Sequence, residues 1–189
     1  IGRLFQDPLS GTAPKMTIEE NLALVTLSAS NKRGSALRGI SRKERARLKE
    51  QLALLNMGLE NKMTQPVGLL SGGQRQALTL LMATLVTPKL LLLDEHTAAL
   101  DPAAAENVLD LTRKVVSEHK LTCLMVTHNM KQALDMGNRT LMMDDGRIVL
   151  DVSGPGRKSL TVDGLLELFR ARAGKVLDND RLLLSGIER

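Results

Sequence analysis

The sequence has 189 residues, close to the roughly 150 residues of one domain and enough to bury a core. Hydrophobic residues make up 43% and charged residues 25%, a balance that excludes an intrinsically disordered chain. The formal net charge is +5, but Lys and Arg are spread along the chain and are densest over residues 42–49. This distribution favours a solvated helix face over a nucleic-acid partner.

Apolar runs in the sequence are short. A span needs roughly 18 apolar residues, whereas the best candidate, residues 78–86, has nine and includes two Thr. We therefore expect a soluble chain. The single cysteine, Cys123, lies in the apolar run 121–126, which predicts a buried, inert thiol in a reducing compartment.

The first third of the chain predicts helices joined by loops. Capping-box patterns at residues 17–20 and 41–44 each begin a helix, because a hydroxyl and a glutamate three residues later satisfy free amides reciprocally. Residues 28–39 between these helices predict a polar loop. The second helix has one apolar face at three-to-four spacing and is predicted to end at Gly58; the apolar positions are Leu48, Leu52 and Leu55.

From residue 89 onward, strands alternate with helices. The apolar runs 90–93 and 121–126 predict central strands of a parallel sheet, buried on both faces. The helix between them has Asp101 at its N-cap and Pro102 at its first position, so the segment is a βαβ unit. A short helix over residues 130–136, a hairpin turning at Asp145-Gly146 and a helix over residues 162–172 follow, and a weakly specified tail ends the chain.

Polar residues follow the two predicted strands at their carboxyl ends, where open α/β sheets bind ligands. Asp94 and Glu95 end the first strand, and His128 follows the second. An Asp at this place can hold Mg²⁺ on a nucleotide, and Glu95 can then polarise an attacking water. The alternative, a loop-capping Asp94 beside a merely exposed Glu95, is equally compatible with these residues alone.

Residues 70–76 read Leu-Ser-Gly-Gly-Gln-Arg-Gln and precede an apolar helical pattern. The glycines allow close approach of an anion to the backbone, and the helix starting near Gln74 directs its free amides to the same place. The pattern predicts a phosphate-binding loop. A polar turn capped by Ser71 explains the serine but gives no reason for Gly72-Gly73-Gln74.

These segments resemble the ATP-binding cassette (ABC) family over about residues 1–150. The matching motifs occur in the family's order: the Q-loop with Gln6, the signature motif Leu70 to Gln74, the Walker B strand Leu91 to Glu95, the D-loop ending at Asp101, and the switch histidine His128. Residues 70–74 are hereafter the signature loop. The resemblance implies an α/β fold, a partial P-loop NTPase of the ABC ATPase type, with a helical subdomain and a parallel-sheet core. It divides the chain into residues 1–88, 89–160 and 161–189.

The resemblance also implies a mechanism with ATP and Mg²⁺. Gln6 would contact Mg²⁺ and the water, Asp94 would hold Mg²⁺, Glu95 would be the general base and His128 would contact the γ-phosphate. The signature loop would act in trans on a second cassette. Its residues for that nucleotide are Ser71, Gly72, Gly73 and Gln74, and Asp101 would couple the two sites.

The implied partners are a second cassette in a homodimer, a transmembrane permease and a separate solute-binding protein, with no nucleic acid. The implied location is cytoplasmic, on the inner face of the membrane through the permease. Residues 91–102 look like bacterial importer ATPases linked to amino acids or related small solutes. Two alternatives stay open: a soluble ABC ATPase acting on DNA or ribosomes, and a non-catalytic interaction remnant.

The family's phosphate-binding Gly-x-x-x-x-Gly-Lys-Ser/Thr motif does not occur in these residues. The nearest match, residues 154–159, has the wrong spacing and lies after the catalytic strands, so we reject it. We therefore expect a cassette that starts mid-protein, lacks the N-terminal β-subdomain and is inactive alone. His96 stands where many family members have Pro, and we expect no catalytic role for it; His119 is expected at the surface near a helix end.

Overall fold

The computed structural model describes residues 1–29 and 40–172. It contains two compact units, Ile1–Val126 and Thr127–Arg189. Most of the predicted loop 28–39 and the whole predicted tail lie outside the described residues. None of the helices in the described ranges is long and apolar enough to cross a membrane.

The first unit combines a parallel sheet with four α-helices in its described part. Its strands are β1 (Gly2–Leu4), β2 (Leu90–Asp94) and β3 (Thr122–Val126). Its α-helices are α1 (Ile18–Ala29), α2 (Arg42–Ala53), α3 (Gly72–Thr84) and α4 (Pro102–Glu118). The strand order is β1-β2-β3, and all pairs are parallel, so β2, α4 and β3 form the expected βαβ unit. Strand β1 was not predicted, because three residues are too few to show a period.

Local hydrogen bonds explain where the helices begin. Ser41 accepts from the backbone N–H of Glu44, and the carboxylate of Glu44 accepts from the backbone N–H of Ser41. The same reciprocal contacts join Thr17 and Glu20, and the backbone N–H of Thr17 lowers the pKa of the Glu20 carboxyl. Both predicted capping boxes are confirmed.

The end of α2 was predicted wrongly. The helix stops at Ala53 and not at Gly58, because Asn56 adopts a left-handed backbone with φ 54° and the chain turns there. Gly58 (φ 70°) instead begins a short 3-10 turn, Leu59–Asn61. Leu55 is buried as predicted but lies beyond the helix. Asn adopts a positive φ more readily than most residues, so Asn56 indicated a turn there. The helical spacing of Leu48, Leu52 and Leu55 led us to extend the helix past it.

The core of the first unit lies against one face of the sheet. Leu4, Leu91 and Leu93 point to this face and are buried together with Leu78 and Leu80 of α3. The opposite face is open in the described residues, where Leu124 is 53% and Val126 is 51% exposed. Strand β2 is central as predicted, but Leu90 and Leu92 are only half-buried, so the predicted burial on both faces is wrong. Within the described residues β3 pairs with β2 alone and lies at the edge of the sheet, not at the predicted central position.

The second unit is a small α/β assembly. It contains α5 (Met130–Met136), the hairpin strands β4 (Arg139–Asp144) and β5 (Arg147–Ser153), α6 (Gly154–Lys158) and α7 over residues 162–172. The Asp145-Gly146 turn, the short helix and the last helix are all confirmed. Both turn residues have positive φ, which Asp and Gly tolerate.

Candidate functional site

The signature loop begins helix α3. Ser71 is the N-cap, and its hydroxyl accepts from the backbone N–H of Gln74 at 3.2 Å. The side-chain oxygen of Gln74 accepts from the backbone N–H of Ser71, while its amide nitrogen donates to the carbonyl of Met57 at 3.2 Å. This capping box was not recognised from the sequence, although Ser-x-x-Gln is its pattern. It fixes the backbone amides at the helix start.

The two signature glycines lie against the start of α4. A Cβ on Gly73 would meet the Cβ of Ala104 at 2.9 Å, and a Cβ on Gly72 would meet the end of the Leu100 side chain at 3.0 Å. Gly73 is buried, whereas Gly72 is exposed. Close helix packing is therefore a second reason for Gly73, beside the anion approach that the sequence suggested.

Asp101 lies beside this contact at the N-cap of α4, as predicted. Its carboxylate accepts from the backbone N–H of Ala104 at 2.9 Å, and Pro102 takes the first helical position. The starts of α3 and α4 thus lie side by side, with exposed Ser71 on one and exposed Asp101 on the other. The signature loop and the D-loop form one continuous surface within the first unit.

Asp94 and Glu95, here named the acidic edge, lie where β2 ends. Leu4 of β1 pairs with Leu93, and Asp94 pairs with Val126 of β3, so the three strands end together. Gln6 follows β1 by two residues and is exposed at this same end of the sheet. The parallel register therefore brings Gln6, Asp94 and Glu95 to one edge of the sheet.

Asp94 forms an ion pair that the sequence did not reveal. The guanidinium of Arg3 donates to its Oδ2 at 3.0 Å and also lies 4.6 Å from the ring centre of Phe5. Both partners are about half exposed. A cation thus already stands beside the carboxylate that we assigned to Mg²⁺.

Glu95 has an unusual backbone. Its φ is 43°, in the left-handed region that β-strand residues rarely enter, and its N–H donates to the carbonyl of Val126 at 3.0 Å. The turn ends β2 and changes the direction of the backbone immediately after Asp94. Such strained positions concentrate at functional sites because the surrounding structure must hold them.

His96 lies directly behind the acidic edge and is only 3% exposed. Burial lowers its pKa to about 4, so the imidazole is neutral at physiological pH. The hydroxyl of Thr112 donates to the carbonyl of Val108 at 2.7 Å, which leaves its oxygen to accept from Nε2 of His96 at 3.3 Å. This buried hydrogen bond explains His96 as a core residue.

His128 belongs to the second unit. It is exposed and directly precedes Asn129, the N-cap of α5, whose side chain accepts from the backbone N–H of Gln132. The predicted γ-phosphate ligand therefore stands immediately before the start of a capped helix. His119 is exposed at the C-cap of α4, as predicted.

The rejected glycine motif at residues 154–159 is a structural element. It forms α6, and Arg157 is buried with 7% exposure. Its guanidinium donates to Thr140 Oγ1 at 2.8 Å and to the carbonyls of Ala133 and Leu134, at the C-terminal end of α5. A cation at that end suits the helix dipole. The residues serve to join α5, α6 and the hairpin.

The side chains at the sheet edge supply oxygen ligands but no complete metal cage. Asp94 and Gln6 offer the carboxylate and amide oxygens that Mg²⁺ prefers. Within the described residues, no group of three or more His, Cys, Asp or Glu side chains is placed to hold a metal ion. The donor set fits a cation that takes one or two protein ligands and completes its shell with phosphate and water.

A parallel sheet with an acidic edge, beside two close-packed helix starts, defines part of the P-loop ABC ATPase fold. The family model described as "ABC transporter" matches residues 1–98. The chain belongs to the ABC transporter family.

Three curated relatives show the same likeness over most of the chain. The "Tyrosine transport ATP-binding protein" of Clostridioides difficile (strain R20291) is 46% identical over 89% of this chain and 66% of its own length. The "Probable amino-acid ABC transporter ATP-binding protein y4tH" of Sinorhizobium fredii (strain NBRC 101917 / NGR234) is 36% identical, over 78% and 53% respectively. The "Aliphatic sulfonates import ATP-binding protein SsuB" of Escherichia coli (strain K12) is 35% identical, over 78% and 59%. The chain thus spans 53% to 66% of the length of these relatives.

Proposed function

We propose that the protein is the ATP-binding and ATP-hydrolysing subunit of an ABC importer, and that its cargo is an amino acid or a related small solute. The observation that carries this proposal is the capped signature loop packed against the D-loop. The names of the relatives, which include tyrosine and amino-acid transport, support the cargo class. A soluble ABC ATPase that acts on DNA or ribosomes is the alternative.

The proposed chemistry uses the acidic edge. Asp94 and Gln6 would hold Mg²⁺, which would neutralise charge on the ATP phosphates. Glu95 accepts a proton from the attacking water as general base, and its turn backbone directs it away from the strand. His128 contacts the γ-phosphate.

The signature loop is proposed to act on a second copy of the protein. Ser71, Gly72, Gly73 and Gln74 form the surface offered to the nucleotide held by the partner, with the Ser71 hydroxyl, the backbone amides of Gly72 and Gly73 and the positive end of the α3 dipole. The amides of Ser71 and Gln74 are used within the capping box. Asp101, on the same surface, couples the two sites. The two copies form a homodimer, and the cassette lies on the inner face of the membrane through a permease that works with a solute-binding protein.

The proposal is tested by purifying the protein from its host membrane together with any proteins bound to it. We expect a polytopic membrane protein to co-purify and the complex to hydrolyse ATP. Glu95→Gln should lower the hydrolysis rate by about 10²-fold or more, the order attributed to a general base. The matched control is Glu106→Gln, which removes an exposed carboxylate of α4 and should leave the rate unchanged.

Two results would contradict the proposal. Hydrolysis unaffected by Glu95→Gln would remove Glu95 from the chemistry. Co-purification with ribosomes or DNA, with no membrane protein, would favour the soluble alternative. A further arm uses the 189-residue chain alone, which we expect to show no turnover because the sequence holds no phosphate-binding Gly-x-x-x-x-Gly-Lys motif.

A further inference from the structure

Helix α2 carries more than half of the chain's net positive charge, because its five cations and two anions give +3 against +5 for the whole sequence. Residues 42–49 hold five cations and one anion, a net charge of +4, against +5 for the whole sequence. These cations are hereafter the basic face: Arg42, Lys43, Arg45, Arg47 and Lys49. The residues outside α2 carry the remaining +2.

The basic face is presented to solvent by the packing of α2. Leu48 and Leu52 are buried and hold the helix on the unit, whereas residues 41–47, 49 and 50 are exposed. The capping box at Ser41 and Glu44 fixes the first turn. At 1.5 Å per residue, the five cations lie within about 10 Å along the axis.

Little of this charge is neutralised within the unit. Arg45 pairs with Glu19 at 2.7 Å. In residues 1–29 and 40–172, no carboxylate forms an ion pair with Arg42, Lys43, Arg47 or Lys49. The positive potential of the face is therefore available to an external partner.

A groove of about 480 Å³ runs between this helix and the segment after it. Arg42, Arg45 and Lys49 line one side, and Asn61 and Thr64 are on the other. Glu60 also lines the groove, but one carboxylate oxygen is buried without a hydrogen-bond partner and the other accepts from Asn61. The groove is thus lined by three cations, one carboxylate and two neutral polar side chains, and Arg45 is already paired with Glu19. Arg42 and Lys49 are the cations left for a phosphate.

We propose that the basic face binds a bilayer surface that carries anionic phospholipid headgroups, with a headgroup phosphate in the groove. Arg42, Arg45 and Lys49 stand at i, i+3 and i+7 and so share one side of the helix, which fits an extended anionic surface. No aromatic residue lies in α2, so the base stacking that single-stranded nucleic acids use is missing. Clusters of four or more Lys and Arg on a helix bind anionic membranes through such additive attraction. The inference rests on the proposed location at the membrane but does not require the proposed hydrolysis.

The test is sedimentation of the 189-residue chain with lipid vesicles. We expect binding to vesicles that contain phosphatidylglycerol, weakening as salt is raised, and no binding to pure phosphatidylcholine. The triple variant Arg42→Gln, Arg47→Gln, Lys49→Gln should lose about 10²-fold in affinity, since each cation contributes several-fold. Gln keeps good helix propensity, and circular dichroism checks the fold of the variant.

The matched control removes three exposed cations elsewhere in the first unit, through Lys15→Gln, Lys89→Gln and Lys114→Gln, and should bind like the parent within a few-fold. Equal losses in the two triple variants would overturn the inference, because net charge alone would then explain binding. Stabilisation of the parent by millimolar inorganic phosphate, or capture by polyglutamate or an oligonucleotide, without vesicle binding would overturn it as well. The two proposals can fail separately. If the chain binds vesicles but no permease co-purifies from the host membrane, this inference is supported and the proposed function is contradicted.

Discussion

The signature loop and the acidic edge belong to the same unit but differ in how firmly they are held. Ser71 and Gln74 satisfy each other, and Gly73 packs on Ala104 with no space for a methyl group. Asp94, by contrast, pairs with a half-exposed Arg3 on an open sheet face. The signature loop, which we propose to act on a partner, is thus preformed, while the acidic edge, which we propose for the chain's own nucleotide, keeps its carboxylates near solvent. Four sets of variants and conditions test this difference.

Acidification should cause the largest change in the free energy of unfolding, because it protonates His96, which is buried behind the acidic edge. Its pKa is about 4 in the folded protein and 6.5 in its ordinary state, so the unfolded chain binds more protons between these values. Stability is therefore full above pH 6.5 and falls as the pH drops towards 4, by about 3 kcal/mol for this one group. Urea titrations across this range measure the loss.

The variant His96→Gln should remove that share of the pH dependence while keeping a donor for Thr112. His119→Gln, which removes an exposed imidazole from the C-cap of α4, is the matched control. If His96→Gln keeps the parent's slope, the buried imidazole is not the group responsible, and the region behind the acidic edge is less sealed than the structure shows.

Gly73→Ala probes the close packing of the signature loop. The added methyl group meets the Cβ of Ala104 at 2.9 Å, which neither helix can avoid without moving, so we expect a loss of about 1–3 kcal/mol in the free energy of unfolding. Gly72→Ala should cost less because it meets only the flexible end of Leu100. The double variant Gly73→Ala, Ala104→Gly should recover part of the loss; additive effects would show that this contact is not the cause.

Ser71→Ala removes the N-cap of α3 and should cost about 1 kcal/mol. Ser41→Ala provides the comparison, since Ser41 caps α2 through the same capping box on the other side of the helical region. Equal losses, measured by urea unfolding, would assign Ser71 an ordinary capping energy. A negligible loss for Ser71 alone would contradict the picture of a preformed loop.

Arg3→Gln should have the smallest effect, within about 0.5 kcal/mol, because exposed ion pairs contribute little. Asp94→Asn should match it, as both variants break the same pair. A loss above about 1 kcal/mol in thermal or urea unfolding would mean that the acidic edge is held more firmly than its exposure indicates, and would narrow the difference from the signature loop.

Features with a local signal were predictable from the sequence. The capping boxes, the helix start at Asp101-Pro102 and the turn at Asp145-Gly146 each depend on contacts within four residues. The acidic edge was predictable because an apolar run that ends in Asp-Glu is typical of a buried strand with oxygen ligands at its carboxyl end. The family resemblance followed from the order of these motifs and is confirmed.

The missed features depend on contacts between residues far apart in the sequence. Arg3 and Asp94 are 91 positions apart, and no local sequence pattern around either residue predicts their ion pair. The contact between Gly73 and Ala104 requires knowing how α3 crosses α4. Arg157 lies in a segment that resembles an anion loop, yet it is a buried cation that holds backbone carbonyls. The positive φ of Glu95 is likewise imposed by the fold and has no sequence signal.

The open face of β3 in the described residues also affects how the purified chain behaves in solution. A strand with two exposed aliphatic side chains, Leu124 and Val126, is a surface on which chains associate with one another as concentration rises. Quality-control chaperones and proteases sample the same kind of surface. Light scattering of the purified chain over a concentration series should therefore show whether this exposed strand drives self-association.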